Sequence, residues 1–469
     1  MKLWLDQFYA LHHLSWPFIV NDHNRSFALE LQRVTNPKLK KWARISRSID
    51  NGILFRQKQN FGLGLTSISD HYERMQVVKC ELLSHSKDPN IVALYKTRES
   101  LNAKLTRVWK ATNATMEANA EVNLNLKFPS QSNRQGIGFG KFNPNPSLAE
   151  KRKLITSKTA SFTEQKRIAH SASLKQQGAW LQWSENALPF DMSWNNLIWG
   201  GVSPLITKCV LESSVNWVRT PNLLKLWGLK NTSSCCLCGA PICSLHHILS
   251  NCSVALNGER YTWRHDSVLS EVQKAIHRHV EDRNANVVKD SFPHISSCFV
   301  PAGKSVVTPK KNPTCSGLIS GTNDWKFLVD LPGSNYVFPP EILATLERPD
   351  IVIWSAKLHK VYLIELTCPA EENIQTAQNF KTSKYLPLMN QISADTNWTP
   401  LFFTIEVGVR GFVARSVEHT FLRLGISRRI FSKVCKNLSL IAARCSFAIY
   451  QSANSIHWEK NRNLISIDP

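Results

Sequence analysis

The sequence predicts a multidomain α/β protein with a helical amino-terminal region, a zinc knuckle near the middle and a small α/β domain toward the carboxyl end. Three observations support this. Apolar residues recur at spacings of three and four over residues 1–115, as in helices. Residues 235–252, CCLCGAPICSLHHILSNC, hold five cysteines and two histidines. Beyond about residue 335, β-branched and aromatic runs alternate with a helical pattern, and a short polar turn at residues 356–360 separates the first two runs. A chain of 469 residues also exceeds what one hydrophobic core usually serves.

Composition favours a nucleic-acid partner. Lysine and arginine total 57 against 35 aspartates and glutamates, so the formal net charge is +22. Such an excess attracts polyanions, with nucleic acid the first candidate and an anionic membrane surface the second. A generically basic surface is the alternative. No apolar run reaches transmembrane length, and polar residues interrupt the amino-terminal segment, so we expect no signal peptide, no membrane and a reducing compartment.

Composition shifts divide the chain into six segments. Residues 1–115 are predicted to be helical, and residues 116–175 form a basic polar linker that ends in either a solvated helix or a phosphate-facing arm. A tryptophan-rich helical region with the knuckle covers 176–256, with the tryptophans interpreted as buried anchors. A helix and an irregular linker occupy 257–334, the α/β domain 335–427 and a basic tail 428–469.

The cysteine-rich stretch is typical of a zinc site. Its preferred ligands supply three sulfurs and one nitrogen in a tetrahedral arrangement: Cys235, Cys238, His247 and Cys252. Four protein ligands leave no open position, which indicates a structural zinc. Three other residues compete for the same role: Cys236, Cys243 and His246. The outer cysteine pair is preferred because Cys236-x-Cys238 is too close for the usual knuckle, whereas His246 stays an alternative to His247.

Two carboxylates in the α/β domain are candidate ligands for Mg²⁺ or Mn²⁺. Asp350 stands at the head of one predicted strand and Glu365 at the end of the next, so adjacent strands can bring them together. Lys381 or Lys384, on the following helix, would orient water or balance phosphate charge. This is the logic of the PD-(D/E)-x-K nucleases, although Thr367 stands where that pattern has lysine. Pro-Asp followed by a later glutamate is, by itself, a common combination.

A resemblance to a known family joins these elements. The ordered motifs are NLLKLWGLK, CCLCGAP, HILSNC, RYTWRHD, RPDIVIWS, YLIELTCPAEENI, KTSKY and EVGVRGF, preceded by SWPFIVNDHNRSFALELQRV. Together they resemble the carboxy-terminal part of non-LTR retrotransposon polyproteins of the class that carries a restriction-like endonuclease, from about residue 15 to about 425. Two departures stand out. One extra residue precedes His247, and no two aspartates are adjacent, so the reverse transcriptase motif YxDD is absent.

The resemblance implies a fold, an activity and site residues. The first segment would be a thumb-like remnant and residues 335–427 a PD-(D/E)XK-like nuclease, in a portion lacking the polymerase palm. Asp350 and Glu365 would hold catalytic Mg²⁺ or Mn²⁺, assisted by Lys381 or Lys384. The family's basic–His–Asp motif, which would contact DNA, falls on Arg264, His265 and Asp266. Expected partners are target DNA and element RNA in the nucleus, and the reaction is nicking of one strand. The alternative is a non-catalytic zinc-dependent DNA- or RNA-binding module, or a degenerate retroelement fragment.

Overall fold

The computed structural model describes residues 2–21, 23–84, 86–101, 148–183, 193–285, 317–334 and 336–458. The chain divides into two compact units, Met1–Gly178 and Ala179–Pro469. Most of the predicted linker at 116–175, from its start to residue 147, lies outside the described residues, as does the last part of the predicted tail. Within the described ranges, no helix combines the length and the apolar character needed to span a bilayer.

The first unit is largely helical over its described residues up to 101, as the spacing of apolar residues predicts, and the rest of that prediction, residues 102–115, lies outside the described residues. Its α-helices are α1 Lys2–Leu5, α2 Leu11–His13, α3 Ser15–Val20, α4 Arg25–Trp42, α5 Gly52–Phe55, α6 Ile68–Ser84, α7 Pro89–Leu101 and α8 Leu148–Ser173. The described part of this unit also contains a π-helical turn, Asp6–Ala10, and a 3₁₀ turn, Lys58–Asn60. Asn24 caps α4 by accepting a hydrogen bond from the Phe27 N–H at 3.0 Å. The helices pack around Phe18 and Tyr72.

Helix α8 contains the basic stretch at residues 150–167. The last arginine of that stretch, Arg167, forms an ion pair with Asp70 on α6 and is mostly buried. Its guanidinium therefore helps to pack α8 against α6. A phosphate-facing arm would have to use other basic residues of the stretch.

The second unit contains both helices and a sheet. Its α-helices are α9 Ser193–Trp199, α10 Pro204–Ser214, α11 Pro221–Leu226, α12 Ser253–Asn257, α13 Arg260–Ala285, α14 Ile374–Asp395, α15 Arg415–Leu424 and α16 Arg428–Gln451. Short 3₁₀ turns, Ala179–Gln182 and Glu371–Asn373, and a π-helical turn, His247–Asn251, lie between them. Its strands are β1 Lys326–Val329, β2 Ile351–Ser355, β3 Lys360–Thr367 and β4 Thr399–Glu406.

The four strands form one sheet in the order β1-β2-β3-β4. Strands β1, β2 and β3 are antiparallel neighbours, and a turn at residues 356–359 joins β2 to β3 as the sequence predicts. Strand β4 runs parallel to β3, with Lys360 opposite Thr399 and Thr367 opposite Glu406. A parallel pair needs a long crossover, and α14 supplies it.

The sheet is the middle of three layers. Ile351 and Ile353 point into a core shared with α13, α15 and α16, whereas Val352 and Trp354 pack with α14 on the opposite face. Because side chains alternate along a strand, a strand buried on both faces is apolar at every position. This explains the uninterrupted run IVIW. The fold class is thus mixed α/β, with a small sheet inside a largely helical chain.

Residues 428–451 are core and not tail, which corrects the sequence-based boundary. They form α16, whose residues Phe431, Leu438 and Ala442 are fully buried in the same core as α13. The prediction rested on the basic residues of this segment, but these alternate with apolar residues spaced three or four apart. One face of the helix is therefore basic and the other apolar.

Candidate metal centre and carboxylate site

Four side chains around the knuckle form a Cys₃His group with donor atoms within 4.8 Å of one another: Cys235, Cys238, His247 and Cys252. The sulfurs of Cys235 and Cys252 are 4.0 Å apart, and Cys238 Sγ is 3.3 Å from His247 Nε2. Tetrahedral zinc, with bonds of about 2.3 Å to sulfur and about 2.0 Å to nitrogen, requires separations of about 3.5–3.8 Å. The group can therefore hold a metal such as zinc.

The local backbone explains why the first two cysteines converge. Cys235 donates its N–H to the Ala240 carbonyl at 2.8 Å, and its own carbonyl accepts from the Gly239 N–H at 2.9 Å, which closes a tight turn. Gly239 adopts φ +74°, a conformation that glycine tolerates best. Burial alone raises the pKa of the Cys235 thiol, but hydrogen bonds from the backbone at Cys238 and Leu237 lower it to about 6. The turn thus favours the thiolate that a metal binds.

Two of the three competing residues, His246 and Cys236, have partners outside the cluster. His246 points away from the cluster, with Nδ1 2.9 Å from Glu372 Oε1. The exposed Cys236 thiol donates to Asn454 Oδ1 at 3.0 Å. Cys243 is buried, and burial together with the neighbouring cysteines raises its pKa to about 12. The geometry thus selects His247 over His246 and the outer cysteine pair over Cys236.

Asp350 and Glu365 meet at the end of the β2–β3 ladder. Ile351 lies opposite Ile364. Asp350 directly precedes Ile351 and Glu365 directly follows Ile364, so the two acids stand side by side at the same edge of the strand pair. The Asp350 N–H donates to Glu365 Oε2 at 3.2 Å, and the Leu366 N–H donates to Asp350 Oδ2 at 2.6 Å. Both acids are buried, with 9% and 4% of their surface exposed. Burial and the Asp350 charge raise the pKa of Glu365, against the opposing effect of Lys381.

One of the two predicted lysines reaches these carboxylates. Lys381, on α14, donates to Glu365 Oε1 at 2.5 Å. Lys384 instead lies 3.6 Å from Glu347 Oε2 and over the ring of Tyr385. Thr367, at the position of the lysine in the nuclease pattern, has a neutral side chain and supplies no positive charge. The structure therefore places Lys381, and not Lys384, beside the acids.

The Arg-His-Asp segment lies on α13, and its histidine faces the carboxylates. His265 Nε2 is 3.3 Å from Asp350 Oδ2 and 3.2 Å from the Leu366 carbonyl oxygen, while Nδ1 is 3.2 Å from Asp266 Oδ1. Burial lowers the pKa of His265, but hydrogen bonds to the Asp266 and Asp350 carboxylates outweigh this and raise it well above its ordinary value. His265 and Lys381 therefore offset the negative charge of the two acids.

The environment of Arg264 contradicts the expectation from the sequence that this residue contacts DNA. Only 2% of its surface is exposed. Its guanidinium donates to the Leu249 carbonyl at 3.0 Å, the Ser446 hydroxyl at 3.1 Å and the Cys368 carbonyl at 3.5 Å. The side chain is occupied inside the protein, so a role in packing replaces the proposed DNA contact.

Several residues near these sites have partners that are distant in the chain, and the sequence carries no signal for them. Tyr261 Oη lies 2.9 Å from the Ile248 carbonyl and accepts a hydrogen bond from the Cys252 N–H at 3.0 Å. Buried Arg410 pairs with Glu371 and Glu372. Burial raises the pKa of Glu372, but His246 and Arg410 bring it down to about 2. No local pattern marks such residues, because their roles depend on segments that meet only in the folded chain.

Comparison of the chain with protein-family models and with curated protein sequences finds no match.

Proposed function

We propose that this chain is a retroelement-derived nucleic-acid-binding protein whose second unit nicks one strand of DNA with the help of a divalent cation. The arrangement of Asp350, Glu365 and Lys381 carries the proposal. Two buried acids on neighbouring strands, with a lysine from the next helix beside them, combine the donors for a hard cation with a positive charge for a phosphate. The ordered set of motifs that resembles the retrotransposon family supports the same proposal.

The residues have distinct roles in this proposal. Asp350 and Glu365 would hold Mg²⁺ or Mn²⁺, because carboxylate oxygens are the ligands these cations prefer. Burial and the charge of Asp350 both raise the pKa of Glu365, and a bound cation would relieve the repulsion between the two acids. When bound, the cation would supply charge stabilisation to the leaving oxygen and lower the pKa of attacking water. Lys381 would hold Glu365 in place and present its charge to the scissile phosphate.

The remaining parts would serve binding. The Cys₃His group, with zinc as a structural ion, would stabilise the knuckle, and the net charge of +22 would attract target DNA and element RNA in the nucleus. A thumb-like remnant is our proposal for the first unit, and a PD-(D/E)XK-like nuclease for the sheet of the second.

A non-catalytic binding module is the second candidate. Thr367 in place of the patterned lysine favours it, as does the absence of adjacent aspartates. In that case His265 and Lys381 would be permanent partners of the acids, and the cluster would be a structural ion-pair network.

Plasmid nicking in Mg²⁺ or Mn²⁺ distinguishes the two candidates. Asp350→Asn removes one metal-binding charge, and we expect nicking to fall by at least about a hundredfold with DNA binding retained. The matched control is Glu341→Gln, an equal change of charge at a carboxylate that accepts hydrogen bonds from Lys326 and Trp354. Its nicking rate should stay near that of the wild type. Equal cleavage by all three proteins would assign the activity to a contaminant, and no cleavage with normal binding would favour the binding module.

A further inference from the structure

The first two turns of α13 lie between the Cys₃His group and the carboxylate site. On the knuckle side, Tyr261 Oη is 3.2 Å from the His247 carbonyl and 2.9 Å from the Ile248 carbonyl. It also accepts the Cys252 N–H. Tyr261 therefore contacts the backbone of two of the four metal-binding residues and the turn that separates them.

Arg264 reaches both sites at once. Its Nη2 donates to the Leu249 carbonyl, inside the turn between His247 and Cys252, and contacts the Cys368 carbonyl, three residues beyond Glu365. Its Nη1 donates to Ser446 on α16, and its Cζ lies 5.5 Å from the centre of the Tyr261 ring. A buried guanidinium with these partners is costly to displace, because any buried donor that it loses stays unsatisfied.

The next residue completes the connection. His265 contacts Asp350 Oδ2 and the Leu366 carbonyl, so the same helical turn holds the ends of β2 and β3. Successive residues of a rigid helix thus join the metal-binding turn to both carboxylate-bearing strands. A shift of that turn would move the helix and, with it, the acids.

We propose that Tyr261 and Arg264 are positioning residues through which the zinc-bound knuckle holds Asp350 and Glu365 in the geometry that binds a divalent cation. The proposal rests on the function proposed above, and it assigns the knuckle a second task besides its own stability. Partners that orient metal ligands in this indirect way typically change metal affinity by about 10- to 100-fold when they are replaced.

The test measures Mn²⁺ binding to the zinc-loaded full chain, by the electron paramagnetic resonance signal of free Mn²⁺ and without DNA. Arg264→Lys keeps the charge but cannot span the three partners. We expect its Mn²⁺ affinity to fall by about tenfold, with one zinc per chain retained. The matched control is Arg260→Lys, which changes an equally buried arginine one turn earlier that donates to the Ser452 and Ser455 carbonyls. Its Mn²⁺ affinity should match the wild type.

A second variant keeps the test decisive if Arg264→Lys misfolds. Tyr261→Phe removes only the hydroxyl, and we expect weaker Mn²⁺ binding with zinc retained. If Arg264→Lys loses its zinc or its fold, Tyr261→Phe decides. Wild-type affinity in Tyr261→Phe, or equal affinities in Arg264→Lys and Arg260→Lys, overturns the inference. Failure of the proposed function gives a different result: Asp350→Asn would then bind Mn²⁺ as tightly as the wild type.

Discussion

Buried charged side chains hold together segments that are far apart in the sequence of the second unit. Arg410 joins the loop after β4 to Glu371 at the start of the crossover, and Lys381 joins α14 to Glu365 on β3. Burying an ion costs several kcal/mol, and removing one member of a buried pair typically costs about 3–5 kcal/mol because the other stays uncompensated. These pairs therefore fix the position of the loop after β4 and of α14, whether or not each pair adds net stability.

Adjacent His246 and His247 allow a direct test of the metal-binding group. His247→Ala removes a donor, so we expect most of the zinc to be lost from protein purified without chelator. His246→Ala should keep about one zinc per chain. It loses only the partly exposed ion pair with Glu372, which is worth about 0.2–1 kcal/mol. Elemental analysis and thermal unfolding measure both effects, and equal zinc content in the two variants would contradict the assignment.

At the level of elements, two continuous apolar runs with a polar turn at residues 356–360 between them predicted the β2–β3 hairpin, whose turn lies at residues 356–359. The spacing of the cysteines predicted the Cys₃His group, because its four residues all lie within residues 235–252. Strand β1 was missed because Lys326–Val329 has only four residues and gains its strand character by pairing with β2. Helix α16 was missed because a segment-wide charge count hides its apolar face.

At the candidate site, too, features set by the local sequence could be predicted and features set by distant segments could not. The proximity of Asp350 and Glu365 could be predicted from the sequence, because each acid stands at an end of a recognisable strand. The sequence could not decide whether His246 or His247 faces the cysteines, because adjacent residues differ only in the direction of their side chains. The burial of Arg264 was also inaccessible, since its partners Leu249, Cys368 and Ser446 come from three distant segments.

The burial of α16 leads to a stability prediction. Leu438 is fully buried in the core that faces the sheet, so Leu438→Ala should lower the free energy of unfolding by about 2–5 kcal/mol through lost contacts and a residual cavity. Ile430→Ala, on the same helix but 47% exposed, should cost about 0.5 kcal/mol or less. Denaturant titration of the full chain measures both. A similar small loss in both variants would mean that this segment is a tail after all.

At the scale of the whole molecule, a net charge of +22 makes electrostatics the main term expected for nucleic-acid binding. Part of that charge is arranged in a stripe. Arg429, Lys433 and Lys436 are exposed on α16 at spacings of four and three, opposite its buried face. Because residues at these spacings lie on one side of a helix, the three charges can follow a phosphate backbone together.

Salt dependence tests this stripe. Each phosphate contact contributes about 0.9 to the slope of log affinity against log salt, because binding releases counterions from duplex DNA. Replacing the three stripe residues with glutamine should therefore flatten the slope by about 2.7 if all three contact phosphates. The control replaces three exposed lysines elsewhere in the same unit, Lys208, Lys225 and Lys230, by glutamine. Fluorescence anisotropy with labelled duplex between about 50 and 200 mM salt gives the slopes. Equal flattening by the two triple variants would show that the charge acts as a diffuse field, and an affinity independent of salt would contradict electrostatic binding altogether.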